Sequence, residues 1–145
     1  MKLTSPAFAN NGAIPSEFTC DGADASLSLV ISDVPANAES LALIMDDPDA
    51  PVGTFVHWVV WNIPPSTKEI KKGTKPNGVQ GITDFRKLGY GGPCPPSGTH
   101  RYFFKLYALD AKLDLPEGSA KKDLERAIEG HIIGQAQLMG TYKRR

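Results

Sequence analysis

Between Gly89 and Asp110 the chain passes without transition from a run that no regular element can hold, GYGGPCPPSGT, into one that reads as strand, HRYFFKLYALD. The first half lacks backbone donors at its prolines and constraint at its glycines, so it must be an irregular loop. The second half is rich in the aromatic residues that strands favour. The same punctuation recurs along the sequence, where 14 Gly and 12 Pro in 145 residues cut the chain into pieces of strand length. Such a chain builds many short strands and few helices.

The pieces can be placed in order. Residues 1–26 carry Ser5-Pro6, Asn10-Asn11-Gly12, Ile14-Pro15 and Asp21-Gly22, which predict short extended segments joined by turns. Strands are predicted at Leu27–Ile31 and at Ser40–Met45, the latter an unbroken apolar run with both faces covered. An acidic turn, Asp46 to Pro51, ends it. Phe55–Ile63 is the next strand, closed by Pro64-Pro65, and an antiparallel pairing across the acidic turn is expected. Residues 66–88 are polar and Lys-rich and read as a long surface excursion. After the strand His100–Leu109 comes a helix, with Ser119 as cap, Asp123 in its first turn, Leu124 and Ile128 on one face and Gly130 at its end. A last strand spans Gln135–Lys143. The expected fold class is mainly β: a sandwich of short antiparallel strands with one or two helices, in a single domain over 1–145.

Charge and cysteine content narrow the function. With 16 basic and 16 acidic residues the chain is balanced, so neither nucleic acid nor an anionic membrane is an expected partner. The tail Lys143-Arg144-Arg145 reads as a solvated terminus. No run approaches the ~20 apolar residues of a membrane span, and the N-terminus has no signal-peptide core. A cytoplasmic location is therefore expected for the chain as written. Cys20 and Cys94 lack zinc-site spacing, and in a reducing compartment they are expected as free thiols, a bridge being the alternative.

Alternation along a strand puts His100, Tyr102, Phe104 and Leu106 on one face and Arg101, Phe103, Lys105 and Tyr107 on the other. An imidazole and a phenol thus lie together beside the Gly/Pro loop, both able to donate to an oxyanion. If the strands 40–45 and 55–63 are antiparallel, Asp47, Asp49 and His57 arrive at one end of the sheet. The predicted site is Asp47, Asp49, His57, His100 and Tyr102, floored by backbone N–H groups of Gly91, Gly92 and Gly98. Each member also has a structural reading: His57 as a satisfied core histidine, Asp47 as a turn former before Pro48, Tyr102 as core.

Five motifs in order, Cys20-Asp21-Gly22, Asp47-Pro48-Asp49-Ala50-Pro51, His57-Trp58, Gly89-Tyr90-Gly91-Gly92-Pro93 and Gly98-x-His100-Arg101-Tyr102, resemble the phosphatidylethanolamine-binding protein family, in its prokaryotic, Raf-kinase-inhibitor-like branch. The resemblance covers essentially the whole chain. It implies a Greek-key β-sandwich with a small anion-binding cavity at one end, walled by Asp47, Asp49, His57, His100 and Tyr102, with Tyr90 and Pro95 or Pro96 in the adjoining loop. The chain departs from the branch's usual pattern at Ala25-Ser26-Leu27-Ser28, which lacks a Ser-Pro step, and it has no long C-terminal helical extension.

The resulting expectation is a binding protein for a small anion or phosphomonoester, similar to a phospholipid headgroup, that modulates signalling or proteolysis. An imidazole alone titrates near ~6.5, so His57 and His100 would hold the anion best when protonated, and binding would weaken from about pH 6 to 8. The alternative is a module that inhibits a serine protease or kinase through a surface loop, residues 66–88 being the surface to mutate. Catalysis is not expected: Ser97 sits in no nucleophile elbow, and Cys94 would need a base such as His100. Two His and two Asp could also bind a metal, but their spacing fixes no geometry, so neither metal nor cofactor is expected. Stable membrane insertion is not expected, and a homodimer is compatible with the sequence.

Overall fold

The computed structural model describes residues 1–144. Its backbone forms two antiparallel sheets. The smaller joins β1 (Lys2–Thr4), β2 (Leu29–Ser32) and β5 (Glu69–Ile70) in the order β1-β2-β5. The larger contains β3 (Ser40–Ala50), β4 (Gly53–Ile63), β6 (Val79–Gln80), β7 (Thr99–Leu109) and β8 (Ile132–Lys143) in the order β6-β4-β3-β7-β8. One α-helix, α1 (Lys121–Ile128), precedes β8, and a turn of 3-10 helix covers Ser16–Phe18. The mainly-β class with a helix near the C-terminus is as the sequence predicts.

β3 is the axis of the molecule. Its Leu41, Leu43 and Met45 join the core between the sheets, with Leu3, Leu29, Ile31 and Ile70 from the smaller sheet. Its Ala42 and Ile44 face the other way and pack with Val59, Trp61, Leu124 and Ile128 under α1. An apolar run with no alternation is what a strand covered on both faces requires. Burying one of its large side chains contributes about 1.5–3 kcal/mol.

Several boundaries differ from expectation. β3 does not stop at Asp46; it runs to Ala50 and takes the acidic segment into the ladder with β4. Pro48 is tolerated because the register shifts between Asp47 and Ala50, so no regular pair needs its missing N–H. Residues 66–88 are not a free excursion, since they carry β5 into one sheet and β6 into the other. The Trp58 indole donates to Gln80 at 3.0 Å and helps anchor them. Ser119 does not cap α1. Its hydroxyl is engaged with the Pro116 carbonyl at 2.7 Å, Ala120 takes the cap position, and Asp123 accepts the Ala120 N–H at 2.9 Å. Leu124 and Ile128 do form its buried face.

The cysteines are also corrected. Cys20 and Cys94 form a disulfide, their Cα atoms 5.4 Å apart across 74 residues of sequence. Cross-loop hydrogen bonds bring the two segments together: Cys20 N–H to the Pro93 carbonyl at 3.1 Å, and Gly92 N–H to Asp24 at 2.8 Å. Of the basic tail, Lys143 ends β8, Arg144 lies 3.4 Å from Asp21, and Arg145 lies outside the described residues. Among the described residues no helix is long and apolar enough to cross a membrane.

Candidate functional site

The cavity lies where β3, β4 and β7 meet the Gly/Pro loop. It encloses about 230 Å³ and is lined by Asp47 from β3, Phe55 and His57 from β4, His100 and Tyr102 from β7, and Pro95 and Pro96 from the loop. Asp47, His57, His100 and Tyr102 are all buried.

Simple alternation does not explain how His57 gets there. Trp58 and Val60 face the core between the sheets, so period two would turn His57 to the outer face with Val59 and Trp61. The ladder has an extra residue at this point: Met45 pairs with Trp58 and Asp46 with Val56, leaving His57 unopposed. The bulge swings the imidazole inward against Tyr102, with ring centres 5.2 Å apart.

A second irregularity separates the two carboxylates. Asp47 points into the cavity, where its Oδ2 accepts the Nδ1–H of His100 at 2.7 Å. Asp49, past the register shift, pairs with Arg101 instead: it accepts from the backbone N–H at 3.0 Å, from Nε at 2.9 Å and from Nη2 at 2.8 Å. The Arg101 guanidinium holds the Asp49 carboxyl down at about 2. Asp49 therefore does not line the cavity as predicted.

The predicted floor of glycine N–H groups is likewise committed elsewhere. Gly91 N–H donates to the His57 carbonyl at 3.0 Å, and Gly92 N–H to Asp24. Gly98 sits in an exposed turn at φ 70°. Gly91 must be glycine for another reason, since a Cβ there would run into the Phe85 ring. Tyr90 donates its hydroxyl to the Phe18 carbonyl at 2.7 Å and packs edge-on to Trp58, outside the cavity; burial pushes its phenol well up. Pro95 and Pro96 do line the cavity, and Cys94 beside them is tied back to Cys20. The apolar wall, Phe55 and Phe85 with ring centres 4.8 Å apart, was not predicted. Phe85 was hidden in a polar stretch, where one aromatic residue is a weak signal.

Among the described residues, three polar atoms of the site lack a partner in hydrogen-bond geometry. His57 Nδ1 donates to the Gly91 carbonyl at 2.7 Å and His100 Nδ1 to Asp47, so each ring has its Nε2 without a protein partner. The Tyr102 hydroxyl is buried with no partner in full hydrogen-bonding geometry, and the Asp47 carboxylate interacts with it. Leaving such a group unpaired costs about 1–3 kcal/mol, which a bound acceptor would offset. Burial, reinforced by Asp47 and Asp49, pushes the Tyr102 phenol far up, so it is a fixed donor across the neutral range. Burial also lowers the His57 pKa, against the pull of Gly91 and of Asp47, Asp24 and Asp46. His57 therefore favours its neutral form at pH 7. His131 pairs with Asp110 at 2.7 Å on the surface, away from the cavity. Among the described residues no three His, Cys, Asp or Glu side chains converge as a metal site.

The family model of phosphatidylethanolamine-binding protein matches residues 4–143. The chain belongs to the phosphatidylethanolamine-binding protein family. It is 52% identical over 150 residues to a UPF0098 protein of Methanothermobacter thermautotrophicus, covering 99% of both chains. It is 49% identical to a UPF0098 protein of Aquifex aeolicus, covering 99% of this chain and 89% of that one. Among solved structures it is similar to CT736 of Chlamydia trachomatis, described as a phosphatidylethanolamine-binding protein homolog: TM-score 0.97, 43% identity, 99% of this chain and 97% of that one. It is also similar to Escherichia coli YbcL, described as a member of the mammalian family: TM-score 0.91, 32% identity, 99% and 98% covered.

Proposed function

We propose that the cavity binds a small oxyanion, with phosphate or a phosphomonoester as its type. The observation that carries this reading is that His57, His100 and Tyr102, each with a polar atom lacking a hydrogen-bond partner among the described residues, line one cavity. Tyr102 supplies a fixed donor, and His100, backed by the Asp47 carboxylate, supplies a second when its ring is protonated. The walls are preformed, so little ordering opposes binding. Family membership agrees with a ligand-binding protein.

The alternative, a module that inhibits a protease or kinase through residues 66–88, would use a segment tied into both sheets by β5 and β6 but exposed over 71–75 and 84–88. The Cys20–Cys94 disulfide fits an oxidising compartment, or a cytosol that retains disulfides, better than a reducing cytoplasm. It also removes Cys94 as a thiolate nucleophile.

The test is an NMR titration of the three histidines with inorganic phosphate. His57 and His100 should shift together and saturate, while His131 stays unmoved. If His57 and His100 ignore phosphate while another region responds, the pocket assignment is wrong.

A further inference from the structure

The way His57 is held restricts which oxyanions the cavity can accept, an inference that rests on the anion-pocket reading. The partner of its Nδ1 is a carbonyl oxygen, which can only accept, so Nδ1 must carry the hydrogen. Two reciprocal bonds fix this arrangement, His57 Nδ1–H to the Gly91 carbonyl and Gly91 N–H to the His57 carbonyl. Rotating the ring would break the first and drive it against Phe55, Phe85 or Tyr102, whose centres lie 5.1, 5.2 and 5.2 Å away. In the neutral ring Nε2 is therefore a lone pair aimed at the ligand, and an acceptor only.

A fully deprotonated oxyanion also offers only lone pairs. An oxygen of such a ligand against Nε2 would meet repulsion and bury two acceptors with no proton between them. An oxyanion that keeps one O–H can donate it to His57 Nε2 while its other oxygens accept from Tyr102 and, when that ring is protonated, from His100. We propose that His57 makes this pocket select oxyanions that carry a proton, such as hydrogen phosphate, over isosteric ones that carry none at neutral pH, such as sulfate. A phosphate monoester, with its second pKa at ~6, meets the same condition by taking up a proton as it binds.

The groups facing His57 decide how long this holds as pH falls. Asp47 and Asp46 on β3, and Asp24 in the loop after Cys20, favour its charged form. His100 and Tyr102 line the same cavity from β7, and the Phe55 and Phe85 rings pack edge-on against it. Burial outweighs the carboxylates, so the ring stays neutral at pH 7. Once it takes a proton at lower pH, Nε2 becomes a donor and sulfate is admitted.

Titration of the full chain with inorganic phosphate and with sulfate at pH 7.5, followed on the His57 and His100 resonances, tests the idea. Phosphate should bind about tenfold or more tightly than sulfate, the scale of one satisfied against one opposed hydrogen bond. The ratio should shrink toward one as the pH is lowered through the titration of His57 itself. His57→Gln, whose amide can donate at the same place, should bind the two ions within about threefold of each other at pH 7.5. Should that variant fail to fold, the pH series on the native chain decides alone. Equal affinities at pH 7.5, or a ratio that ignores the protonation of His57, would overturn the selectivity and leave the anion pocket standing. If neither ion moves His57 or His100, both proposals fall.

Discussion

Asp47 and Asp49 are two residues apart, chemically identical, and put to different use. Asp47 is buried and holds His100; Asp49 is partly exposed and holds Arg101. Asp47→Asn keeps the shape and an acceptor for His100 Nδ1–H but replaces a charge-assisted hydrogen bond by a neutral one, so the ring is held less firmly. It should weaken phosphate binding about tenfold, a change that calorimetric titration would register. Asp49→Ala should leave phosphate affinity within about twofold and cost no more than about 1 kcal/mol in urea unfolding, because exposed ion pairs contribute little. Equal losses of affinity in both variants would mean that the carboxylates act as one unit, contrary to their placement.

At the scale of elements, the site depends on two strand irregularities and one covalent tie. The bulge at His57 and the shift after Asp47 re-aim side chains that a regular ladder would place elsewhere. The disulfide fastens the Cys94–Pro96 rim to the loop that carries Asp21 and Asp24. It closes a loop spanning 74 positions, so its removal by Cys20→Ser with Cys94→Ser should lower stability by about 2–5 kcal/mol. The urea midpoint should fall accordingly, and phosphate affinity should fall with it as Pro95 and Pro96 lose their anchor. An unchanged midpoint would show that the loops are held by their hydrogen bonds alone.

For the molecule as a whole, the buried neutral His57 links stability to pH. Its pKa is lower folded than unfolded, so between the folded value and the unfolded ~6.5 the unfolded chain binds more protons. His57 thus contributes stability that is fully present above ~6.5 and lost as pH falls toward its folded pKa, at up to about 1.4 kcal/mol per pH unit. Urea unfolding between pH 7.5 and 5 should show this decline, and His57→Phe should flatten it. A native profile as flat as that variant's would remove the linkage.

Much of this architecture was legible in the sequence because it is locally encoded. Proline and glycine mark where ladders end, the unbroken apolar run of β3 announces a strand covered on both faces, and alternation along β7 places His100 and Tyr102 inward with Arg101 outward. The side chains gathered in the cavity, Asp47, His57, His100 and Tyr102, were likewise nameable from residue type and order. Only the tertiary structure decided which way they point and what they are free to do. Alternation alone would have turned His57 outward and kept Asp49 beside Asp47; a bulge is fixed by the register of the neighbouring strand, which no local pattern carries. The glycine N–H groups, the Cys20–Cys94 pairing and the neutral state of His57 depend on groups tens of residues away in the chain. The sequence alone determines which chemistry this chain carries, whereas long-range pairing decides which of its polar atoms remain free to bind.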